Sequence, residues 1–331
     1  MSLYRAETRR LAKRRFTRWL LVGGLLVLAA VAIGTGLSNK KVGPNEIAEA
    51  KVAAEASYQE TLRFVEQDRQ RCEANPADYG GDCSQLITPT REDFPYQAFM
   101  RSTFEFRDNF GNMVITLAAI LGLAAFVVGA SYVGAEWTSG GMMNLLLWRP
   151  QRLTVLSTKL AAFLVALGGL AVLVAAVWTG VFVLIANLRG SMAGMTAGAW
   201  QSVLLTEVRA VGLIMVAGAI GFGLAALGRH TALALGAAVG AIVVFQFGLV
   251  AVLGLARAPF PEAWLLPTWI AVWMNKSITL QNYGVCEFSP TQGCRPDELT
   301  LTWPMAGGLM ACALLLVLGA AMWTTRSRDI P

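Results

Sequence analysis

Long apolar runs dominate the hydrophobic pattern of this chain, and six of them are long enough to cross a bilayer. They cover residues 19–38, 112–135, 160–187, 205–228, 232–256 and 303–324. A helix needs about 20 mainly apolar residues to span the hydrocarbon region of a membrane. The runs are continuously apolar rather than alternating, so they fit helices, which satisfy their own backbone polar groups, better than barrel strands. The pattern predicts an all-α integral membrane protein with six transmembrane helices.

Composition supports the same class of protein. Of the 331 residues, 55% are hydrophobic and only 15% are charged, whereas soluble domains carry roughly 25% charged residues. The mean hydropathy is +0.53. A soluble chain of this length would not contain so many uncharged runs of membrane-spanning length.

The basic N terminus sets the expected orientation. Residues 1–18 carry seven Lys or Arg against the single acid Glu7, and basic segments beside membrane helices stay cytoplasmic. Apolar residues within and just after this segment favour an amphipathic helix on the anionic cytoplasmic leaflet: Leu3, Tyr4, Leu11, Phe16 and Trp19. A cleavable signal peptide is the competing interpretation, but the following apolar run exceeds the roughly 7–15 residues of a typical signal core.

Six crossings then place the connections on alternating sides. The segment 136–159, the turn at Arg229 and the tail 325–331 are expected in the cytoplasm, and the loops 39–111 and 257–302 outside. The first loop has nine Lys or Arg and thirteen Asp or Glu. Long loops are translocated largely regardless of charge, so these cations agree with an outside position.

Both outside loops contain predicted structure. Residues 45–71 follow Pro44 and are rich in Ala, Glu, Gln and Arg, which predicts a helix that Asn75-Pro76 then ends. Residues 258–275 hold three prolines and three tryptophans with few charges. This composition is typical of interfacial or re-entrant helices.

Cysteine positions agree with this topology. Each outside loop has two cysteines and the sixth run has one: Cys72 and Cys83, Cys286 and Cys294, and Cys312. Four cysteines allow three pairings, and the local pairs, Cys72 with Cys83 and Cys286 with Cys294, close the shortest loops and are favoured. Disulfides persist in oxidising compartments. No metal site is expected, since there is no Cys-x-x-Cys and the only histidine, His230, is predicted on the opposite side.

A search for catalytic motifs finds none. The chain lacks a G-x-x-x-x-G-K-[ST] phosphate loop, a G-x-S-x-G elbow and an H-E-x-x-H pair. A membrane enzyme would usually show paired carboxylates or a metal cluster near the end of a span, and neither is evident. We therefore expect no catalytic residues and no cofactor in this chain.

Charges and glycines within the runs are the remaining candidates. Glu207 and Arg209 lie near the predicted outer end of the fourth run, and at a spacing of two they point to different helix faces. They serve either as interfacial, snorkelling residues or as part of a substrate path or gate. Glycines crowd the fourth and fifth runs, including Gly236 and Gly240, and helix packing is their expected role.

The segment between the second and third runs, AEWTSGGMMNLLLWRPQRLTVLSTK, is more than a turn. Glu136 lies just past the predicted membrane edge, Gly140-Gly141 gives a flexible point, and a short apolar helix follows that Arg149-Pro150 ends. An exposed apolar helix face needs either the lipid surface or a partner protein to cover it. A partner is the favoured interpretation.

This segment resembles the first cytoplasmic loop of ABC-2 type transporter permeases. The resemblance rests on the ordered set Glu136, Gly140 or Gly141, Leu145 with Leu146, Pro150, Arg152 and Lys159. The N-terminal RAETRRLAKRRFTRWLL and the stretch GFGLAALGRHTALALG are also similar to the interfacial helix and the fourth-to-fifth span hairpin of that family. The absence of a phosphate loop fits as well, since the ATPase of this family is usually a separate subunit.

The resemblance implies a division of labour between subunits. Residues 136–152 would form a coupling helix that docks on a cytoplasmic ABC ATPase subunit, which holds the ATP and Mg. Residues assigned to this coupling are Glu136, Gly140, Met142, Leu146, Trp148, Pro150 and Arg152. Glu136 and Arg152 would fix the helix, and Met142, Leu146 and Trp148 are candidates for its buried face. A second permease, identical or different, would complete the path in a bacterial plasma membrane, and nucleic acid is not an expected partner.

Few charges lie within the spans, so the path would be lined by apolar, aromatic and methionine side chains. We expect export of an amphiphilic substrate such as a drug, lipid or hydrophobic peptide. An ATPase-independent secondary transporter or channel is the alternative; it predicts related halves, and no repeat relates residues 1–160 to 161–331. A membrane enzyme or scaffold is a further alternative, but the outside loops lack an acid, base and nucleophile set.

Overall fold

The computed structural model describes residues 3–76, 83, 86–100, 103–148, 151–289 and 293–327, with the side chains of all except residues 3, 148, 283–289 and 293–295. The described residues are mostly helical. The α-helices are α1 Leu3–Lys13, α2 Arg15–Ser38, α3 Pro44–Ala74, α4 Phe106–Thr138, α5 Gly141–Trp148, α6 Arg152–Arg189, α7 Ala197–Gly228, α8 Thr231–Ile242, α9 Leu249–Leu255, α10 Leu266–Asn275 and α11 Trp303–Ser327. The strands are β1 Phe104–Glu105, β2 Gly190–Ser191, β3 Ser277–Ser289 and β4 Gly293–Thr302.

Within the described part of the chain, six helices are long and apolar enough to span a membrane, as the hydrophobic pattern predicts. They are Arg15–Ser38, Phe106–Thr138, Arg152–Arg189, Ala197–Gly228, Thr231–Leu255 and Trp303–Ser327. Each overlaps one of the six apolar runs. The fifth comprises α8, a π-helical stretch Val243–Gly248 and α9. Which end of these helices faces the cytoplasm stays a prediction.

The expectation of an all-α fold leaves out the strands: β3 and β4 form an antiparallel hairpin, and the short strands β1 and β2 also pair. Apolar and polar residues alternate in the hairpin: Ile278 pairs with Leu301 and Leu280 with Leu299, while Thr279 faces Thr300. Alternation puts the apolar residues on one face of the hairpin. That face packs beside Val272 of α10, which itself matches the helix expected within 258–275.

The long helix expected after Pro44 is present as α3, and a disulfide joins Cys72 at its end to Cys83. This confirms the first of the two local pairs. Cys286 and Cys294 lie on β3 and β4, but their side chains fall outside the described part of the chain, so the second pair stays a prediction.

The chain divides into two compact units. The first comprises Met1–Ala30, Phe110–Gly180 and Met195–Pro331, and the second comprises Val31–Asn109 and Val181–Gly194. Within the second unit, the Tyr58 ring of α3 packs 5.9 Å from the Phe94 ring, and β1 pairs in parallel with β2.

The first unit is held together by close contact between α4 and α7. A Cβ atom on Gly129 would lie 2.3 Å from the carbonyl oxygen of Gly218, and one on Gly221 would lie 2.2 Å from that of Phe126. Only glycine allows two helix backbones to approach so closely. The packing role expected for glycines therefore holds in the fourth span, whereas Gly236 and Gly240 of the fifth face open space.

One end of the first unit brings together several segments that were predicted to share a side. Leu11 of α1 and Leu146 of α5 belong to the same buried cluster as Ala321 near the end of α11. The α7–α8 turn lies here too, since the Arg229 guanidinium sits 4.8 Å from the centre of the Trp137 ring. We call this region the α1 end.

Candidate functional site

The α1 end contains α5, which connects α4 to α6. Past the last residue of α4, Thr138, the backbone amide of Gly140 donates to the Trp137 carbonyl (3.3 Å). Gly140 has φ of +72°, in the left-handed region that suits glycine. The chain turns at Ser139 and Gly140, and α5 begins at Gly141.

The apolar face of α5 is buried inside the chain. Met142 is 1% exposed and Leu146 is 8% exposed, and both belong to a cluster that includes Leu11 of α1. Their spacing of four places them on the same side of the helix, and the core of the first unit takes that side. Both residues were candidates for the buried face of α5, and that face is buried within this chain; their part in coupling stays a prediction.

The opposite face of α5 is open. Asn144 is exposed and Leu147 is 80% exposed. Any protein that approaches α5 from outside meets this face. The side chain of Trp148 and the whole of Pro150 fall outside the described residues, and Arg152 is the first residue of α6 and half-buried.

A buried group of charges joins α1 to both neighbours of α5. Glu7 of α1 is 1% exposed and Lys159 of α6 is fully buried. One oxygen of Glu7, Oε2, accepts hydrogen bonds from Lys159 Nζ (2.6 Å) and from the Tyr132 hydroxyl (2.6 Å) of α4. Lys159 Nζ also lies 2.8 Å from Glu136 Oε2. We call Glu7, Tyr132, Glu136 and Lys159 the ion cluster.

The two contacts of Lys159 differ in kind. The contact with Glu7 is a hydrogen-bonded ion pair, whereas Glu136 Oε2 makes an ion pair with Lys159 without a hydrogen bond. The ammonium also lies 4.4 Å from the centre of the Tyr132 ring, where a cation is attracted by the ring face. Lys159 thus has three partners on two other helices.

Burial of these charges is unfavourable unless their partners compensate. Removing an ion from water costs several kcal/mol in real proteins. Burial acts to raise the pKa of the Glu7 carboxyl, but hydrogen bonds from Lys159 and Tyr132, with the charges of Lys159 and Arg10, lower it below its ordinary value. The carboxylate of Glu7 is therefore the form that the folded protein stabilises.

Two arginines lie beside the ion cluster, Arg10 on α1 and Arg14 just after its end. Arg10 lies 3.3 Å from Glu7 Oε1 while its side chain stays 53% exposed. Arg14 donates to the Ser131 carbonyl (3.1 Å) and stands 5.7 Å from the centre of the Tyr132 ring. A cavity of about 430 Å³ opens beside them, lined by Arg10, Glu136, Gly141, Asn144 and Leu145.

Glu207 and Arg209 do not pair with each other, as their spacing predicts. Glu207 accepts a hydrogen bond from the Thr179 hydroxyl of α6. Arg209 stands 5.7 Å from the centre of the Trp303 ring, and its carbonyl accepts from the Trp273 indole (2.9 Å). One guanidinium nitrogen of Arg209 is buried without a hydrogen bond. Their role as a substrate path or gate stays a proposal.

Sequence reasoning missed Glu7 and Tyr132. Glu7 entered only as the one acid in a basic segment, although it lies four residues before Leu11 and so shares the apolar side of that helix. Tyr132 lies four residues before Glu136 on α4. An acid on the apolar face of an amphipathic helix indicates a buried carboxylate that needs a cation as its partner.

Among the described residues, no group of three or more His, Cys, Asp or Glu side chains is placed to hold a metal ion. A search of curated proteins finds no match to the chain. The model of the family described as ABC-2 family transporter protein matches residues 3–326, which include α1, α5 and all six candidate spans. The chain therefore belongs to the ABC-2 family of transporter membrane proteins.

Proposed function

We propose that this chain is the permease subunit of an ABC exporter, and that the exposed face of α5 docks on a separate ATPase subunit. The observation that carries the proposal is the placement of α5, which joins two candidate spans and keeps Asn144 and Leu147 exposed. The family match supports it. ATP and Mg would be bound by the partner, since this chain carries no phosphate loop.

The arrangement around α5 suits a helix that transmits movement. Met142 and Leu146 anchor it in the core of the first unit, and the ion cluster holds the adjoining ends of α4 and α6. A push on Leu147 would therefore be passed to two membrane-spanning helices instead of being lost in a flexible loop. ATP binding would favour one arrangement of the permease pair by its differential affinity for the two states.

A second permease copy would complete the translocation path. The fifth span has no buried residue in its most apolar window, and Phe245 and Phe247 on its π-helical stretch are 59% and 72% exposed. We propose that this span contributes to the contact with the second copy. Apolar side chains that line a translocation path between the two copies would favour an amphiphilic substrate, such as a drug, lipid or hydrophobic peptide, over an ion.

The test is a detergent pull-down of the tagged chain from its native membrane, with ATP hydrolysis assayed in the eluate. An ATPase subunit is expected to co-purify with the parent chain and to be lost with Leu147→Glu, because a charge would replace an exposed apolar contact. The matched control is Val52→Glu on α3, where Val52 is 71% exposed; it should retain the ATPase.

Absence of any ATPase from an intact parent preparation would contradict the proposal and favour ATPase-independent transport. Retention by Leu147→Glu equal to that of the parent would contradict the docking role of this face of α5. Substrate screening would follow a positive result, with amphiphiles and ions compared for their stimulation of ATP hydrolysis.

A further inference from the structure

The ion cluster closes the base of the segment that carries α5. Glu136 lies near the end of α4 and Lys159 lies in the second turn of α6, so their 2.8 Å contact brackets α5 and both its connections. Glu7 adds a third helix, α1, to the same point. Three helices thus meet at one lysine.

One face of α1 packs against α4, α5 and α6. Glu7 and Leu11 are four residues apart, which places them on one side of α1, and Arg14 follows directly after the helix. Glu7 binds Lys159 and Tyr132, Leu11 lies in the cluster that holds Met142 and Leu146, and Arg14 donates to Ser131. The remaining basic residues of α1 are exposed: Arg5, Arg9, Arg10 and Lys13.

We propose that Glu7 is a positioning residue that fixes α1 to α5 and to the adjoining ends of α4 and α6, so that α1 and the coupling helix move as one rigid body. The proposal rests on the coupling role proposed above for α5. It assigns to α1 a mechanical part in coupling, in addition to any contact with the membrane surface.

The charged nature of the contact carries this inference. An apolar contact alone would let α1 slide or rotate on its neighbours at little cost. A buried carboxylate with two hydrogen bonds is satisfied in one register only, because displacement by one residue would leave Glu7 and Lys159 buried without partners. A buried ion pair therefore specifies position even where it adds little net stability.

The first arm of the test measures the α1–α5 distance in the full chain without the ATPase. Spin labels on Arg9→Cys and Asn144→Cys, in a Cys312→Ala background, report this distance by pulsed electron paramagnetic resonance. Label uptake by the chain without introduced cysteines is the blank. The parent should give one narrow distribution, and Glu7→Gln a broad or divided one. Glu55→Gln, which removes an exposed carboxylate of α3, should match the parent.

In this arm, two outcomes would overturn the proposal: a parent distribution already as broad as that of Glu7→Gln, or a Glu7→Gln distribution as narrow as that of the parent. If Glu7→Gln does not accumulate as a folded protein, Tyr132→Phe decides by the same comparison. This variant removes one hydrogen bond to Glu7 and keeps the ring beside Lys159. It should broaden the distribution less than Glu7→Gln would.

The second arm measures retention of the ATPase subunit. Glu7→Gln should lower the retained ATPase about tenfold, the effect of losing about 1.4 kcal/mol of binding, and Glu7→Asp should restore part of it because the charge returns. Unchanged retention in Glu7→Gln would overturn the proposal. If the parent itself retains no ATPase, the proposed function fails, and the distance arm still decides the role of Glu7.

Discussion

Two groups of opposite charges in this protein have similar geometry and different surroundings. On α3, Glu55 accepts two hydrogen bonds from Arg91, each of 3.1 Å, while the two side chains are 47% and 70% exposed. In the ion cluster, Glu7 and Lys159 meet at 2.6 Å and are almost completely buried. Water competes for the first pair and is excluded from the second. Burial, more than bond length, decides what each pair does.

Lys159→Met is expected to have the largest effect on the stability of the buried pair. This change leaves the carboxylates of Glu7 and Glu136 close together without their shared cation. We expect a loss of about 3–5 kcal/mol in the free energy of unfolding, typical of breaking a buried pair from one side. Denaturant unfolding in detergent, followed by tryptophan fluorescence, measures it. A variant as stable as the parent would show that water reaches the ion cluster more than its burial indicates.

The next effect in size is that of Tyr132→Phe. It removes only the hydroxyl that donates to Glu7 Oε2 and keeps the ring that faces Lys159. Hydrogen bonds to charged groups contribute about 1.5–3 kcal/mol, so we expect a loss in this range by the same unfolding assay. In combination with Lys159→Met the losses should be less than additive, because both changes affect one carboxylate.

Acid pH should weaken the ion cluster by a smaller amount. The folded-state pKa of Glu7 is below its ordinary value of 4.5, since its hydrogen bonds and nearby cations outweigh burial. A lowered acid pKa contributes stability that is present above the unfolded value and is lost as the pH falls through the folded value. The parent should therefore lose stability below pH 4.5, and Glu7→Gln should lose less. Thermal unfolding midpoints from about pH 7 to about pH 3 test this, and parallel curves would contradict it.

The smallest effect is expected at the exposed pair. The pKa of Glu55 is lowered by the hydrogen bonds from Arg91 and Gln59, yet both partners of the ion pair are open to water. Arg91→Gln should leave the unfolding midpoint of the whole chain unchanged within error, because an exposed pair is well screened. A midpoint that falls as far as that of Tyr132→Phe would remove the contrast between the two pairs.

Much of the architecture was predictable because it depends on local sequence. Each span is a run of apolar residues, and α3 follows from Pro44 and a stretch of strong helix formers. The hairpin of β3 and β4 was missed, although Ile278 and Leu280 alternate with polar residues, because its strands lie beside prolines and tryptophans that suggested interfacial helices.

The candidate site was predictable only in part. The position of α5 followed from Gly140-Gly141 and Arg149-Pro150, whereas the importance of Glu136 and Lys159 came from a resemblance to a family. The burial of Met142 and Leu146 within the chain could not be predicted, since an apolar helix face looks the same whether a core, a lipid or a partner covers it.

The sequence by itself determined that this is a membrane protein with six candidate spans, because hydrophobic length is a property of consecutive residues. Only the tertiary structure decided that Glu7 meets Lys159, which lies 152 residues further along the chain. A buried charge needs a partner, but the sequence does not say which helices will be neighbours. That choice is made by close packing, such as the contact of Gly129 with Gly218, and the charges are satisfied where the packed helices bring them together.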